Sequence, residues 1–94
     1  MVITMLEARL TTNQGEKLKA LYRETARTAP PGLLSYLLND QKDSSVWRIA
    51  TVWQSQQALD EMLASGVTPK GRVMFLEAGA EPTLRIWNVP ERIG

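Results

Sequence analysis

The amino-acid sequence predicts an α+β fold: a ferredoxin-like βαββαβ domain whose four-stranded antiparallel sheet carries helices on one face. Three observations lead there. Residues 46–66 read as a strand that runs directly into a helix. Hydrophobic periodicity switches between the strand period of two and the helical period of 3.6 in the order β-α-β-β-α-(α)-β. And 94 residues suffice for one hydrophobic core and no second, so the domain spans residues 1–94.

Each element has its own signature. The first strand, residues 2–10, has Val2, Thr4, Leu6, Ala8 and Leu10 on one face and Ile3, Met5, Glu7 and Arg9 on the other. A helix is predicted over 13–27, with Asn13 and Glu16 spaced as a capping box. Leu18, Leu21, Tyr22, Thr25 and Ala26 share its inner side. Ala29-Pro30-Pro31-Gly32 cannot continue a helix and turns the chain into a second strand at 33–39. Residues 40–45 are a polar, hairpin-type connection. The third strand, Val46–Trp53, is rich in β-branched and aromatic residues. Ser55 is placed to cap the next helix, 54–65, whose Ala58, Leu59, Met62 and Leu63 recur at helical spacing until Gly66.

Thr68 and Pro69 read as a cap and first residue of a third helical segment that ends at Gly79, with Val73, Met74 and Leu76 or Glu77 on its inner side. A strand over 72–77 is the competing reading. A last strand covers 83–89. Helices on one face leave the other bare, yet the strands are apolar on both. The simplest cover for the bare face is a second copy of the chain, so a homodimer through the sheet face is expected.

Composition removes several function classes. Eleven Lys and Arg against ten Asp and Glu give a net charge of +1, with the basic residues scattered, so no nucleic-acid partner is expected. The absence of Cys excludes disulfides, thiolate metal sites and Cys nucleophiles. The absence of His removes the commonest general base and metal ligand, and with it any Ser-His-Asp machinery. No metal and no cofactor are expected. No apolar run approaches the ~20 residues of a membrane span, and no signal peptide is recognisable. The expectation is a cytoplasmic protein without a membrane partner.

Trp53-Gln54-Ser55-Gln56-Gln57-Ala58-Leu59 resembles the Trp, short polar cap and Ala-Leu pattern that opens the second helix of the antibiotic biosynthesis monooxygenase domain family. Length and element order extend the resemblance over nearly the whole chain. It implies the dimeric α+β barrel fold and, for activity, cofactor-independent oxygenation of an aromatic or quinol-like molecule. Two positions depart from that family. Ile49 stands where the aromatic-polyketide oxygenases commonly carry Asn, four residues before the Trp, and Met62 stands where many members place a His. Haem degradation, which uses that His, is not expected.

Oxygenation without a cofactor needs a dry pocket, a proton acceptor or relay, and donors for a substrate anion. Trp53, at the joint of strand and helix, either contacts an aromatic ligand or fills core. Tyr36, in an otherwise apolar strand, either relays a proton or is a satisfied structural Tyr. These two are the candidate catalytic residues. Tyr22, Arg85 and Asn88 are candidates for substrate binding. Against that, Tyr22 can simply pack on the sheet, Arg85 and Arg48 can form ion pairs on the dimer face with groups such as Glu7, and Asn88 can mark a strand end. Trp47 and Trp87 read as packing or seam residues. Two rival functions remain on the same fold: a non-catalytic dimer that binds a small hydrophobic ligand, and an isomerase or lyase.

Overall fold

The computed structural model describes residues 1–66 and 69–94. Strand β1 (Val2–Arg9) leads to helix α1 (Thr12–Ala26), then β2 (Leu34–Asn39), β3 (Val46–Trp53), α2 (Gln56–Ala64), α3 (Lys70–Ala78) and β4 (Thr83–Asn88). The strands form one sheet in the order β2-β3-β1-β4, with every neighbouring pair antiparallel. This is the α+β, ferredoxin-like arrangement that the periodicity predicts. Among the described residues no helix is long and apolar enough to cross a membrane.

Register decides which side chains share a face. Leu6 pairs with Ile49 and Leu84, and Ile49 pairs with Leu37, so these lie side by side on one face. Alternation then places Ser35, Thr51 and Trp53 on that face, and Tyr36, Ala50, Met5 and Arg85 on the opposite one. The helices cover the first. Leu18 of α1, Leu59 of α2 and Phe75 of α3 are fully buried, and Ala8, Ile49 and Met74 complete the contact between layers. The other face is open in the single chain: Leu34, Tyr36, Leu38 and Trp87 are 40–52% exposed.

The start of α1 departs from the predicted box. Thr11 is the N-cap: its hydroxyl accepts from the Gln14 N–H at 3.2 Å, and the Gln14 side chain accepts from the Thr11 N–H at 2.9 Å. Asn13 already lies within the helix. The reason is tertiary. The Leu10 N–H donates to the Ser45 carbonyl at 2.8 Å, so the chain leaves the sheet at Leu10 and Thr11 is the first residue free to cap. Helix α2 is capped as predicted, with Ser55 accepting from the Ala58 N–H at 3.1 Å.

Helix α3 bears out the helical reading and corrects its inner side. Residues 72–77 are helical, which removes the strand alternative. The inner side is Met74, Phe75 and Ala78, while Val73 and Leu76 are exposed. The helix is rotated from the expected phase because Gly71 belongs to the inner side. A Cβ there would come within 2.8 Å of Leu6 Cδ1, so the missing side chain lets α3 settle onto β1. The predicted cap Thr68 lies outside the described residues. Pro69 takes the N-cap position rather than the first helical one, its ψ of 136° being non-helical. Gly79 ends the helix as expected, at φ 104° in the left-handed region.

Gly15 is the other close approach: a Cβ would meet the Trp47 indole at 2.9–3.0 Å. At an exposed helix position Gly→Ala gains about 1 kcal/mol of propensity, whereas forcing a methyl into a filled space costs about 1–3 kcal/mol. Here a rigid ring must give way, so Gly15→Ala should lower the urea midpoint of unfolding. A raised midpoint would mean that Trp47 moves aside freely.

The hairpin between β2 and β3 is held by two carboxylates. Asp40 accepts from the N–H groups of Asp43 at 3.1 Å and Lys42 at 2.7 Å, which lowers its pKa. Asp43 accepts from the Ser45 hydroxyl at 2.6 Å, from Arg9 at 2.7 Å and from the Ser45 N–H, which bring it down to about 2. Because the folded value lies below the unfolded 3.8, this contribution is complete above that pH and disappears as pH falls through about 2. A carboxyl-carbon NMR titration should give Asp43 a midpoint near 2; a midpoint near 4, the ordinary carboxylate value, would contradict the hairpin geometry.

Candidate functional site

Between the covered face of the sheet and the helices lies a cleft of about 630 Å³, within the range of small-molecule sites. Its floor is Leu6, Ser35, Ile49, Thr51 and Trp53 from three strands. Tyr22, Thr25 and Ala26 of α1 form one wall and continue into Ala29, Pro30 and Leu33 of the following turn. Met62 of α2 and Lys70, Gly71 and Met74 of α3 close the other side. Local sequence explains this shape. The Pro30-Pro31 turn stops α1 short of covering the sheet, and α2 is only nine residues long and fully buries only Leu59.

The lining is mostly hydrocarbon, with a small polar cluster on the floor. The Tyr22 hydroxyl donates to Ser35 Oγ at 3.0 Å, and the Thr51 hydroxyl lies 3.5 Å from the same oxygen. A serine hydroxyl that accepts from both neighbours keeps its own proton to donate, and Ser35 lies in the cleft wall. A ligand oxygen above Ser35 would complete this set. Trp53 is placed differently: its Nε1–H donates to Thr4 Oγ1 at 3.0 Å. Its only donor is thus used within the sheet, and what it offers a ligand is the indole ring.

Trp53 and Tyr22 are therefore brought together at the cleft. The other three candidates are not. Tyr36 is one residue from Ser35, so strand alternation points it to the open face, where it is 52% exposed; this candidate catalytic residue does not border the cleft. Arg85 pairs with Met5 on that same open face and stacks its guanidinium over Trp87 at 5.1 Å. Asn88 is exposed at the end of edge strand β4 and does not line the cleft. Arg48 forms an ion pair with Glu7, its register partner on the open face. Among the described residues no cluster of three or more carboxylates is placed to hold a metal ion.

Sequence reasoning missed Ser35, Thr51 and Lys70. The signal for Ser35 was present, since it is a lone small hydroxyl on the Leu33 and Leu37 face of an apolar strand. Lys70 gave none, because its place at the cleft depends on how α3 docks. If the Tyr22–Ser35 pair is a formed, partly desolvated hydrogen bond, Tyr22→Phe and Ser35→Ala should each cost about 1 kcal/mol and couple by about 0.5–1.5 kcal/mol in a double-mutant cycle. Additive effects in thermal unfolding would mean the two hydroxyls do not interact.

Comparison with known proteins agrees with the fold. The family model described as antibiotic biosynthesis monooxygenase matches residues 1–68. No curated protein matches the chain. Among solved structures, a protein from Deinococcus radiodurans provisionally named an antibiotic biosynthesis monooxygenase aligns over 100% of this chain and 97% of its own, at 18% identity and a TM-score of 0.70. A similarly named protein from Chloroflexus aurantiacus aligns over 99% and 96%, at 20% identity and a TM-score of 0.63. SnoaB, a cofactor-independent oxygenase from Streptomyces nogalater, aligns over 98% and 95% at 16% identity, with a TM-score of 0.64. At these identities the structural likeness speaks for the fold.

Proposed function

Because the chain belongs to the antibiotic biosynthesis monooxygenase family, we propose that it is a cofactor-independent monooxygenase. Its substrate would be a small aromatic or quinol-like molecule held in the cleft between sheet and helices. The observation that carries this reading is the cleft itself: about 630 Å³, apolar walls, the Trp53 ring and a hydroxyl group at Ser35 positioned to donate. The cofactor-independent oxygenase from Streptomyces nogalater, which has the same fold, adds support.

The reaction asks the protein for little. An electron-rich phenol or anthrone loses a proton, and the resulting enolate passes one electron to molecular oxygen. The two radicals combine at carbon to give a peroxide. Loss of water then leaves a carbonyl. One oxygen atom enters the product and the other departs as water with two substrate hydrogens, so the substrate supplies all four electrons. Trp53 would stack on the ring, and the Ser35 hydroxyl, oriented by the bond it accepts from Tyr22, would donate to the enolate oxygen. Among the described residues no carboxylate lines the cleft, and the hydroxyl chain donates toward the ligand, so the first proton leaves to water at the open side.

The protein would work as a cytoplasmic homodimer. The support is the open sheet face, where Leu34, Tyr36, Leu38 and Trp87 are left exposed beside the Glu7–Arg48 ion pair. On that arrangement Tyr36 and Arg85 belong to the seam, outside the protomer's own cleft.

One observation favours a second reading, a non-catalytic dimer that binds the same kind of ligand. Ile49, 3% exposed in the floor, brings no donor to the position beside Thr51 and Trp53, and the Trp53 N–H is already committed to Thr4. Oxygen uptake by metal-stripped protein with anthrones, naphthols and quinols separates the two. The oxygenase reading expects uptake that falls about tenfold or more, a loss of about 1.4 kcal/mol, in Trp53→Ala with its circular dichroism unchanged. Uptake unaffected by Trp53→Ala would remove that residue from the site. No uptake across the panel would leave the binding protein.

A further inference from the structure

We infer that the ligand of this cleft is an aromatic acid, its ring between the apolar walls and its carboxylate against Lys70. The inference rests on reading the cleft as an aromatic-binding site, but not on the chemistry performed there. Three observations carry it. Among the described lining residues Lys70 is the only charged side chain, and no Asp or Glu accompanies it. An anion is therefore the one kind of charge this wall attracts, and nothing in the wall repels it.

The second observation is that Lys70 has no ion-pair partner among the described residues. Helix α3 opens with two cations in its first turn, Lys70 and Arg72, and no acid. Positive charge at that end opposes the helix dipole. Arg72 is compensated by an ion pair with Glu81. Lys70 is in none of the ion pairs formed among the described residues. Neutral helix formers would serve α3 better here, and this charge borders the cleft.

The third is the distribution of polarity. The sheet offers neutral hydroxyls at Ser35 and Thr51, joined by Tyr22 of α1, whereas Lys70 stands on the α3 side beside Gly71 and Met74. These are two chemically different anchors, one on the sheet and one on α3. A hydroxyl or carbonyl oxygen suits the first and a full negative charge the second. A hydroxylated aromatic carboxylate carries both on a rigid ring. Because the Lys70 side chain is exposed, its attraction is screened by salt and modest in size.

The test compares 2-naphthol with 6-hydroxy-2-naphthoic acid by titration calorimetry, on the full chain at neutral pH and low salt. The wild type should bind the acid about 5- to 10-fold more tightly than the naphthol. Lys70→Met should abolish that preference while leaving naphthol binding in place, and Lys70→Arg should restore it. Raising the salt to 0.5 M should shrink the preference in the wild type alone. Equal affinities in the wild type, a preference that survives Lys70→Met, or no binding of either probe would overturn the inference. The readout is independent of turnover: a Lys70-dependent preference without oxygen uptake would sink the oxygenase reading and keep this one. Uptake without the preference would do the reverse.

Discussion

The constraint on which the rest depends is strand alternation locked by register. Once Leu6, Ile49 and Leu37 lie side by side, every other residue of three strands is committed to a face. Ser35, Thr51 and Trp53 go beneath the helices, and Leu34, Tyr36 and Val52 go to the other side. A slip of one residue would exchange the two sets. The fully buried Phe75, Leu18 and Leu59 press the helices onto the chosen face, so the hydrophobic core and the chemistry of the cleft are set by the same pairing.

The cleft exists because cover of that face is incomplete. Helix α1 is cut off by prolines and α2 fully buries only Leu59, while Gly71 lets α3 lie close over Leu6. What remains between them is a space lined with hydrocarbon, where water is a poor competitor for a few hydroxyls. In such surroundings a hydrogen bond counts for more than it does in water. The Tyr22–Ser35 pair and the Trp53–Thr4 bond satisfy the polar groups that the space would otherwise strand, and no buried side-chain polar atom among the described residues lacks a partner. The same arrangement has the Ser35 hydroxyl accepting from both Tyr22 and Thr51.

The two faces of the sheet serve different ends. The covered face holds the cleft, and the open one carries large apolar side chains with the Glu7–Arg48 pair and the Arg85–Trp87 stack among them. A charge flanked by aromatic and aliphatic neighbours suits a surface that is partly desolvated on association. Strand β4 contributes Arg85 and Trp87 to this face, and all six of its residues remain exposed in the single chain.

Much of this was legible in the sequence, and the division has a physical cause. Element order, the strand Val46–Trp53, the Ser55 cap, the Gly79 stop and the apolar character of both sheet faces follow from periodicity and turn chemistry, which need only the covalent geometry of neighbouring residues. Trp53 and Tyr22 were legible for the same reason, since each sits at a fixed place within its own element. What only the tertiary structure decided involves segments far apart in the chain. Thr11 rather than Asn13 caps α1 because Ser45 holds Leu10 in the sheet. Phe75 rather than Val73 faces inward because Gly71 meets Leu6. Tyr36 faces away from the cleft because β2 joins β3 in one register and not the next. The Trp53 N–H is spent on Thr4, and Lys70 stands at the cleft, through contacts that no local pattern encodes. Periodicity says that a residue has a side; only docking against distant partners says what lies on that side.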